Sequence, residues 1–197
     1  MLHASIGLKG LANGQFSYTR VALQLNHLIR TKQLGETFIQ AELGEVWGDV
    51  SYAYLFNTRG SGPEPGHRAS LVYIPNTFQT VGRYEFTANK TASLFIEQNL
   101  GNLLFKPKDI HIRPEFVLVQ NISYGKLTHA NAHKGLALQA PEKGLFETGL
   151  IINNLYRINL KLFYLGFGVG YFQRYGAYTL PDKKDNRALK FGLTISF

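Results

Sequence analysis

Three glutamates are the side chains of this sequence best placed to do chemistry. Glu42, Glu97 and Glu147 each lie in a stretch where polar and apolar residues alternate. Two carboxylates brought to one site can act as a general acid and a general base. The same residues can instead line a polar interior, paired with cations such as Arg20 or Lys190. We favour the second interpretation, which makes Arg20, Glu42, Glu97 and Glu147 candidate lumen residues.

Metal and nucleophile chemistry has weaker support in the sequence. His129 and His133 are four residues apart, but the intervening residues are typical of a loop, and the chain has no Cys. A hydrolase would need a Ser–His pair near a strand end; Ser17 and His27 are available, and no motif marks them. Nucleophile elbows, phosphate loops and dinucleotide fingerprints are absent. We therefore predict no catalytic residue, no metal and no cofactor.

Composition favours a β-protein rich in aromatic residues. The 197 residues include 13% aromatics and 20 glycines, and only 17% are charged, against about 25% in an average soluble domain. No run of roughly 18 apolar residues exists, so no membrane-spanning helix is predicted. The net charge of +8 is spread along the chain rather than clustered on one element, which argues against a nucleic-acid partner.

Alternation with a period of two predicts eight strands. Val21, Leu23 and Leu25 share one face of the second strand, whereas Arg20 and Gln24 share the other. The predicted strands are far longer than the roughly five or six residues of soluble ones, and long enough to cross a bilayer when tilted. We therefore predict an all-β, antiparallel transmembrane β-barrel. Its predicted strands are residues 2–9, 16–30, 37–47, 91–99, 110–124, 144–157, 160–175 and 187–197.

Periodicity breaks over a long loop at about residues 48–90. Its glycines and prolines cluster at residues 60–66, and strand-like pieces occur near 71–74 and 77–86. A second loop covers residues 125–143. In the seventh strand Gly166, Gly168 and Gly170 share one face, which predicts a close backbone approach or a bend in the wall.

The C-terminal strand carries a further pattern. Its residues alternate strictly between faces and end on an aromatic residue, as the closing strand of an outer-membrane barrel usually does. Recognition by strand addition needs main-chain groups and alternate side-chain anchors. We predict that Lys190, Gly192, Ile195 and Phe197 form an assembly signal; alternatively, Phe197 belongs only to an aromatic girdle.

Four stretches together resemble one family: residues 44–52 with 55–56, 84–97, 149–155 and 171–178. They are similar to the C-terminal barrel of an uncharacterised outer-membrane family that carries an N-terminal carboxypeptidase-regulatory-like domain. That family is distantly similar to the surface-antigen superfamily of insertase and translocation barrels. The resemblance covers nearly the whole chain. It implies a sixteen-stranded barrel, of which these eight strands are the C-terminal half, and a long loop folded into the lumen from the cell surface.

The resemblance also directs attention to the tip of that loop. In insertases it carries an Arg-Gly-Phe-type motif, and the nearest equivalent here is Tyr84, Glu85 and Phe86, which lacks the Arg-Gly pair. This departure leaves insertase activity unsupported, and the three residues stay a candidate loop tip.

We expect residues 1–197 to form a non-enzymatic outer-membrane β-barrel segment of a bacterium, acting in transport, protein translocation or assembly, or surface display. Its expected partners are membrane lipid and the barrel-assembly machinery. Two alternatives stay open: a barrel-borne enzyme such as a lipid hydrolase, and a soluble ligand-binding barrel with its apolar faces inward. No export signal is visible at the first strand. We therefore expect the C-terminal part of a longer protein, whose first and last strands do not pair with each other.

Overall fold

A computed structural model describes residues 1–10, 15–48, 50–62, 71–101, 103, 111–128, 136 and 138–196. These residues form β-strands joined by turns and one short 3-10 turn, which confirms the all-β prediction. Within them, no helix has the length and hydropathy needed to cross a membrane. The strands are β1 (Leu2–Gly7), β2 (Tyr18–Thr31), β3 (Gly35–Gly48), β4 (Phe56–Asn57), β5 (Gly60–Gly62), β6 (Phe78–Gly82), β7 (Thr87–Ala88), β8 (Lys90–Asn99), β9 (Glu115–Lys126), β10 (Leu145–Asn159), β11 (Tyr164–Tyr175) and β12 (Arg187–Ser196).

Eight of these strands form one antiparallel sheet in the order β1-β2-β3-β8-β9-β10-β11-β12. They correspond to the eight strands predicted from alternation, with boundaries that differ by five residues or fewer. The other four lie inside the predicted loop at 48–90, where β4 pairs with β7 and β5 pairs in parallel with β6. The strand-like piece predicted at 77–86 contains β6.

The large sheet is open in the described part of the chain. Its edges are β1 and β12, and no pairing joins them, as expected for eight strands that do not close on themselves. One position of the β12 edge is covered by the loop. The Phe191 amide donates to the Leu71 carbonyl at 2.6 Å, and the Tyr73 amide donates to the Phe191 carbonyl at 2.9 Å.

From β3 to β12 one face of the sheet is largely polar and buried. Successive pairings place Gln40, Phe95, Asn121, Glu147 and Arg174 side by side across β3, β8, β9, β10 and β11. All five are buried, and four of them are polar. Since side chains along a strand alternate between faces, this row identifies the polar face of the whole sheet.

The opposite face is largely apolar and exposed. Leu118 and Leu150 face outward from central strands with 48% and 41% of their surface exposed, and Leu189, Leu193 and Ile195 on β12 exceed 60%. Burial of apolar surface contributes about 25 cal/mol per Å², so a water-soluble sheet buries this face first. Here the polar face is buried instead.

A hydrophobic core fills the space between the loop and the polar face. Phe78, Val81 and Phe86 of the loop pack with Phe95 of β8 and Leu145 of β10. We call the loop residues 50–62 and 71–89 the inner loop. Its apolar side chains explain how a largely polar sheet face comes to be buried.

The predicted glycine stripe lies beside a β-bulge. The register between β10 and β11 slips between Ile152 and Tyr156, and Asn154 has a φ of +54°. A Cβ on Gly168 would lie 2.7 Å from the Ile152 carbonyl oxygen, and one on Gly166 would collide with the Asn154 side chain. The bulge therefore brings backbone and side chains so close to β11 that only glycine fits.

Candidate functional site

The carboxylate of Glu147 is the centre of the contact between the inner loop and the sheet. It is fully buried. Its Oε1 accepts hydrogen bonds from the Gln79 amide at 2.9 Å and from Asn121 Nδ2 at 3.0 Å. Its Oε2 accepts from the amide and the hydroxyl of Thr80 at 2.7 and 2.6 Å. Four donors surround the two oxygens, an arrangement that matches an ionised carboxylate. Hydrogen bonds to an ionised acceptor are about twice as strong as neutral ones, so this carboxylate anchors β6 to the sheet.

Arg174 stands next to Glu147 and holds the other end of the loop turn. Its Nη2 donates to Glu85 Oε1 at 2.7 Å, and its guanidinium carbon lies 5.3 Å from the centre of the Phe86 ring. Arg174 is 1% exposed. In the described part of the chain its Nε and Nη1 have no acceptor, so the buried charge depends on Glu85.

The candidate loop tip divides into two parts. Glu85 and Phe86 face the sheet, where Phe86 is buried. Tyr84 is 72% exposed and has a φ of +61°. The Gly82 amide donates to Glu85 Oε2 at 2.8 Å, so one carboxylate both closes the turn and binds Arg174.

Lys190 lies under β5. Its side chain is 1% exposed, and its Nζ lies 3.5 Å from the Ser61 carbonyl oxygen, the outer limit of a hydrogen bond. The Ser61 hydroxyl in turn bonds Gln79 Oε1 at 2.9 Å. Lys190 was predicted to belong to the assembly signal; in the folded chain its side chain is covered, so a partner could read it only before the inner loop packs.

The other residues of the predicted signal lie apart from this contact. Gly192 faces Gly168 across the ladder, on the polar side of the sheet. Ile195 faces outward with 62% of its surface exposed. Phe197 lies outside the described residues.

Glu97 binds the loop through Tyr73. The Tyr73 hydroxyl donates to Glu97 Oε1 at 2.5 Å, and the Tyr73 ring stacks on Phe172 with centroids 5.5 Å apart. Burial, together with the negative charge of Glu97, raises the pKa of the Tyr73 hydroxyl. The hydroxyl therefore stays protonated and keeps donating to the carboxylate.

The two remaining candidate lumen residues, Glu42 and Arg20, lie near the β1 edge of the sheet. Glu42 Oε1 bonds Arg59 Nη2 at 2.7 Å. Arg20 Nε donates to the Tyr54 carbonyl at 3.1 Å, and its guanidinium covers the Phe56 ring at 4.0 Å. All four candidate lumen residues thus lie on the polar face and contact the inner loop, and Glu42 pairs with Arg59 rather than with Arg20.

Two important cations were missed from the sequence. Arg174 lies on the same face of β11 as Phe172 and Gly170, two and four residues before it. The period-two pattern could therefore have placed Arg174 on the polar face. Arg59 lies where the alternation breaks, and no local pattern marks it. The loop's fold alone brings it to Glu42.

The three glutamates singled out from the sequence bind the inner loop and do not lie close enough to form a pair with one another. Glu42, Glu97 and Glu147 lie in different cross-strand rows, and each has its own loop partner. Ser17 precedes β2, and His27 lies ten residues further along it, roughly 30 Å away at 3.3 Å per residue, so these two cannot pair. His129 and His133 lie outside the described residues. Among those described, no group of three or more His, Asp or Glu could hold a metal.

Comparisons with protein-family models, with curated proteins and with solved structures each found no match. The resemblance to an outer-membrane family stays a prediction. The structure itself defines an eight-stranded antiparallel sheet whose polar face binds a loop of the same chain.

Proposed function

We propose that this chain is the C-terminal half of a sixteen-stranded outer-membrane β-barrel that is not an enzyme, and that its inner loop closes the lumen. The observation that carries the proposal is the inverted polarity of the sheet. Charged side chains such as Glu147, Arg174 and Lys190 are buried under the loop, while leucines cover the exposed face. A lipid exterior and a polar interior require this arrangement, and a soluble ligand-binding barrel requires the reverse.

Aromatic side chains at the strand ends support a bilayer around the sheet. Tyr124, Phe146 and Tyr175 face outward on three successive strands, with ring centroids 5.8 and 5.5 Å apart. A second outward set lies eight to ten residues away along the same strands. At a rise of about 3.3 Å per residue and a tilt of about 40°, the two sets are about 20–25 Å apart across the membrane. The second set consists of Phe116, Tyr156 and Phe167.

The outward face also carries polar side chains close to the first aromatic set. Gln120 Nε2 donates to the Tyr175 hydroxyl at 3.0 Å and to the Glu147 carbonyl at 3.1 Å. These groups lie beside the girdle, where aromatic rings meet the polar headgroups. They are thus compatible with a membrane boundary near Tyr175.

The inner loop argues for a barrel wider than eight strands. A closed eight-stranded barrel has an interior that side chains alone fill. Here the polar face carries a packed loop with its own aromatic core of Phe78 and Phe86. Open sheet edges are not tolerated in lipid, so β1 and the positions of β12 other than Phe191, which the inner loop covers, need further strands. Eight additional strands would meet both requirements.

The connections suggest an orientation. The two longest, residues 49–89 and 127–144, leave the same end of the sheet. The opposite end carries the turns of residues 32–34 and 160–163 and the connection of residues 100–114. Outer-membrane barrels place long loops at the cell surface and short turns in the periplasm. The inner loop therefore descends from the cell surface.

A lumen closed by its own loop favours transport or protein translocation over surface display. Cargo can pass only when the inner loop leaves the polar face, which requires breaking the Glu85–Arg174 pair and the Glu147 hydrogen bonds. Membrane lipid and the barrel-assembly machinery are the partners that this function needs.

Conductance measurements on the full-length protein test the proposal. In planar bilayers the unaltered protein should show small conductance. Glu85→Gln leaves the buried Arg174 charge without a carboxylate and should produce larger openings. The double change Glu85→Gln with Arg174→Gln removes both charges and should restore part of the closed behaviour.

Outer-membrane level and heat-modifiable migration on gels establish that each variant is folded. If Glu85→Gln is folded in the membrane and conducts as the unaltered protein does, the inner loop does not close a lumen. If the protein does not fractionate with the outer membrane at all, the barrel itself is wrong.

A further inference from the structure

A groove crosses the outward face at the end of the sheet that carries the long loops. It has a volume of about 590 Å³ and lies across β2, β3, β8 and β9, within the roughly 300–1,000 Å³ of small-molecule sites. The sheet register places Leu23, Leu43, Ala92 and Tyr124 in one row. Because Ala92 is much shorter than its neighbours, it forms the floor of an apolar trough.

Charged residues close the end of the trough that lies nearer the long loops. In the next row, Glu45 stands opposite Lys90, and Lys90 stands directly opposite Lys126. Lys90 Nζ bonds Glu45 Oε1 at 3.1 Å. Like charges directly opposite each other on neighbouring strands are destabilising. The carboxylate offsets one lysine, and the charged side chains lining the groove keep a net charge of +1.

Aromatic rings mark the depth of this charged end. Trp47 and Tyr124 line the groove and are 48% and 46% exposed. Tryptophan and tyrosine are enriched where the bilayer meets water, with their rings at the level of the headgroups. The lysines therefore lie at headgroup depth and the trough below them at acyl-chain depth.

We propose that this groove binds a lipid whose headgroup carries an uncompensated phosphate anion. An acyl chain lies along Leu23, Leu43 and Ala92, and the phosphate contacts Lys126 and Lys90. The charge and the apolar trough complement the two parts of such a lipid, and a zwitterionic lipid lacks the net charge that the lysines select. This inference rests on the proposed membrane location of the outward face.

Lipid binding by the full-length protein tests the inference. The protein is purified from outer membranes, delipidated in detergent and titrated with phosphatidylglycerol or phosphatidylcholine under native mass spectrometry. Phosphatidylglycerol should bind more tightly. Lys126→Gln should weaken it about fivefold, as about 1 kcal/mol per lysine near an anionic surface implies, and should leave phosphatidylcholine unchanged.

Two further variants separate a site from a general surface charge. Lys183→Gln removes the same charge at the same end of the sheet and should have no effect. Ala92→Leu fills the trough without changing charge and should weaken phosphatidylglycerol severalfold. Inorganic phosphate at millimolar concentration should not displace the lipid, because the acyl chain supplies much of the binding.

Each possible result contradicts a different claim. Equal losses for Lys126→Gln and Lys183→Gln, or no loss for Ala92→Leu, would overturn the groove as a lipid site, as would displacement by inorganic phosphate. Equal affinity for the two lipids would overturn the anionic preference. A protein absent from the outer-membrane fraction would instead overturn the proposed function.

Discussion

Glu147 and Arg174 stand opposite each other on β10 and β11, and the same inner loop binds both. Glu147 accepts from the Gln79 and Thr80 amides, and Arg174 donates to Glu85. Both side chains are buried at the centre of the polar face. Two opposite charges on neighbouring strands are thus each satisfied by the loop, so removal of the loop would leave both without these partners.

Removing the Glu147 carboxylate should release β6. In Glu147→Ala the Gln79 and Thr80 amides and the Asn121 amide group lose an acceptor. The Thr80 hydroxyl loses its acceptor as well, and each stranded buried donor costs about 1–3 kcal/mol, so we expect a loss of at least about 3 kcal/mol in the free energy of unfolding. Urea unfolding of the protein in detergent micelles measures this loss, and trypsin cleavage after Arg83 reports loop release.

Glu36→Ala is the matched control for that experiment. Glu36 is a glutamate of the same sheet whose partner is Arg30, but both side chains are more than half exposed, and exposed ion pairs contribute about 0–1 kcal/mol. Similar losses in the two variants would show that Glu147 does not anchor the loop.

Gly149 should tolerate no side chain. A Cβ there would lie 2.3 Å from the Phe172 ring, which is fully buried. We expect Gly149→Ala to destabilise the protein by about 1–3 kcal/mol through overpacking. At Gly192, on the same face, a Cβ would have its nearest neighbour at 3.4 Å, so Gly192→Ala should change the free energy of unfolding little. The packing account fails if the two alanine variants unfold at the same urea concentration.

The sequence predicted the eight long strands because a wall with two different faces imposes a period of two on every strand. Glu97 and Glu147 were placed on the polar face for the same reason. The inner loop could not be predicted in this way, because its contacts depend on tertiary folding. Arg59 meets Glu42, and Tyr73 meets Glu97, across segments without periodicity.

The C-terminal assembly signal should act before folding is complete. Ile195 is 62% exposed and so contributes little to packing within the chain. Deletion of Phe197 or the change Ile195→Ser should therefore lower the outer-membrane level of the full-length protein severalfold, with little effect on the unfolding of the molecules that assemble. Leu180→Ser, in the loop before β12, is the control. Immunoblots of membrane fractions measure that level. If the Phe197 deletion reaches the normal level, Phe197 is not part of an assembly signal and belongs only to the aromatic girdle.

Spin labels along β12 test the central claim, that one face of the sheet meets lipid and the other faces the lumen. The chain has no native Cys, which simplifies labelling of single cysteines in the full-length protein. Labels at Leu189, Leu193 and Ile195 should be reached by oxygen dissolved in the bilayer. Labels at Ala188, Gly192 and Thr194 should be protected from it. We predict that oxygen accessibility in lipid vesicles alternates with a period of two; equal accessibility at all six positions would contradict the account.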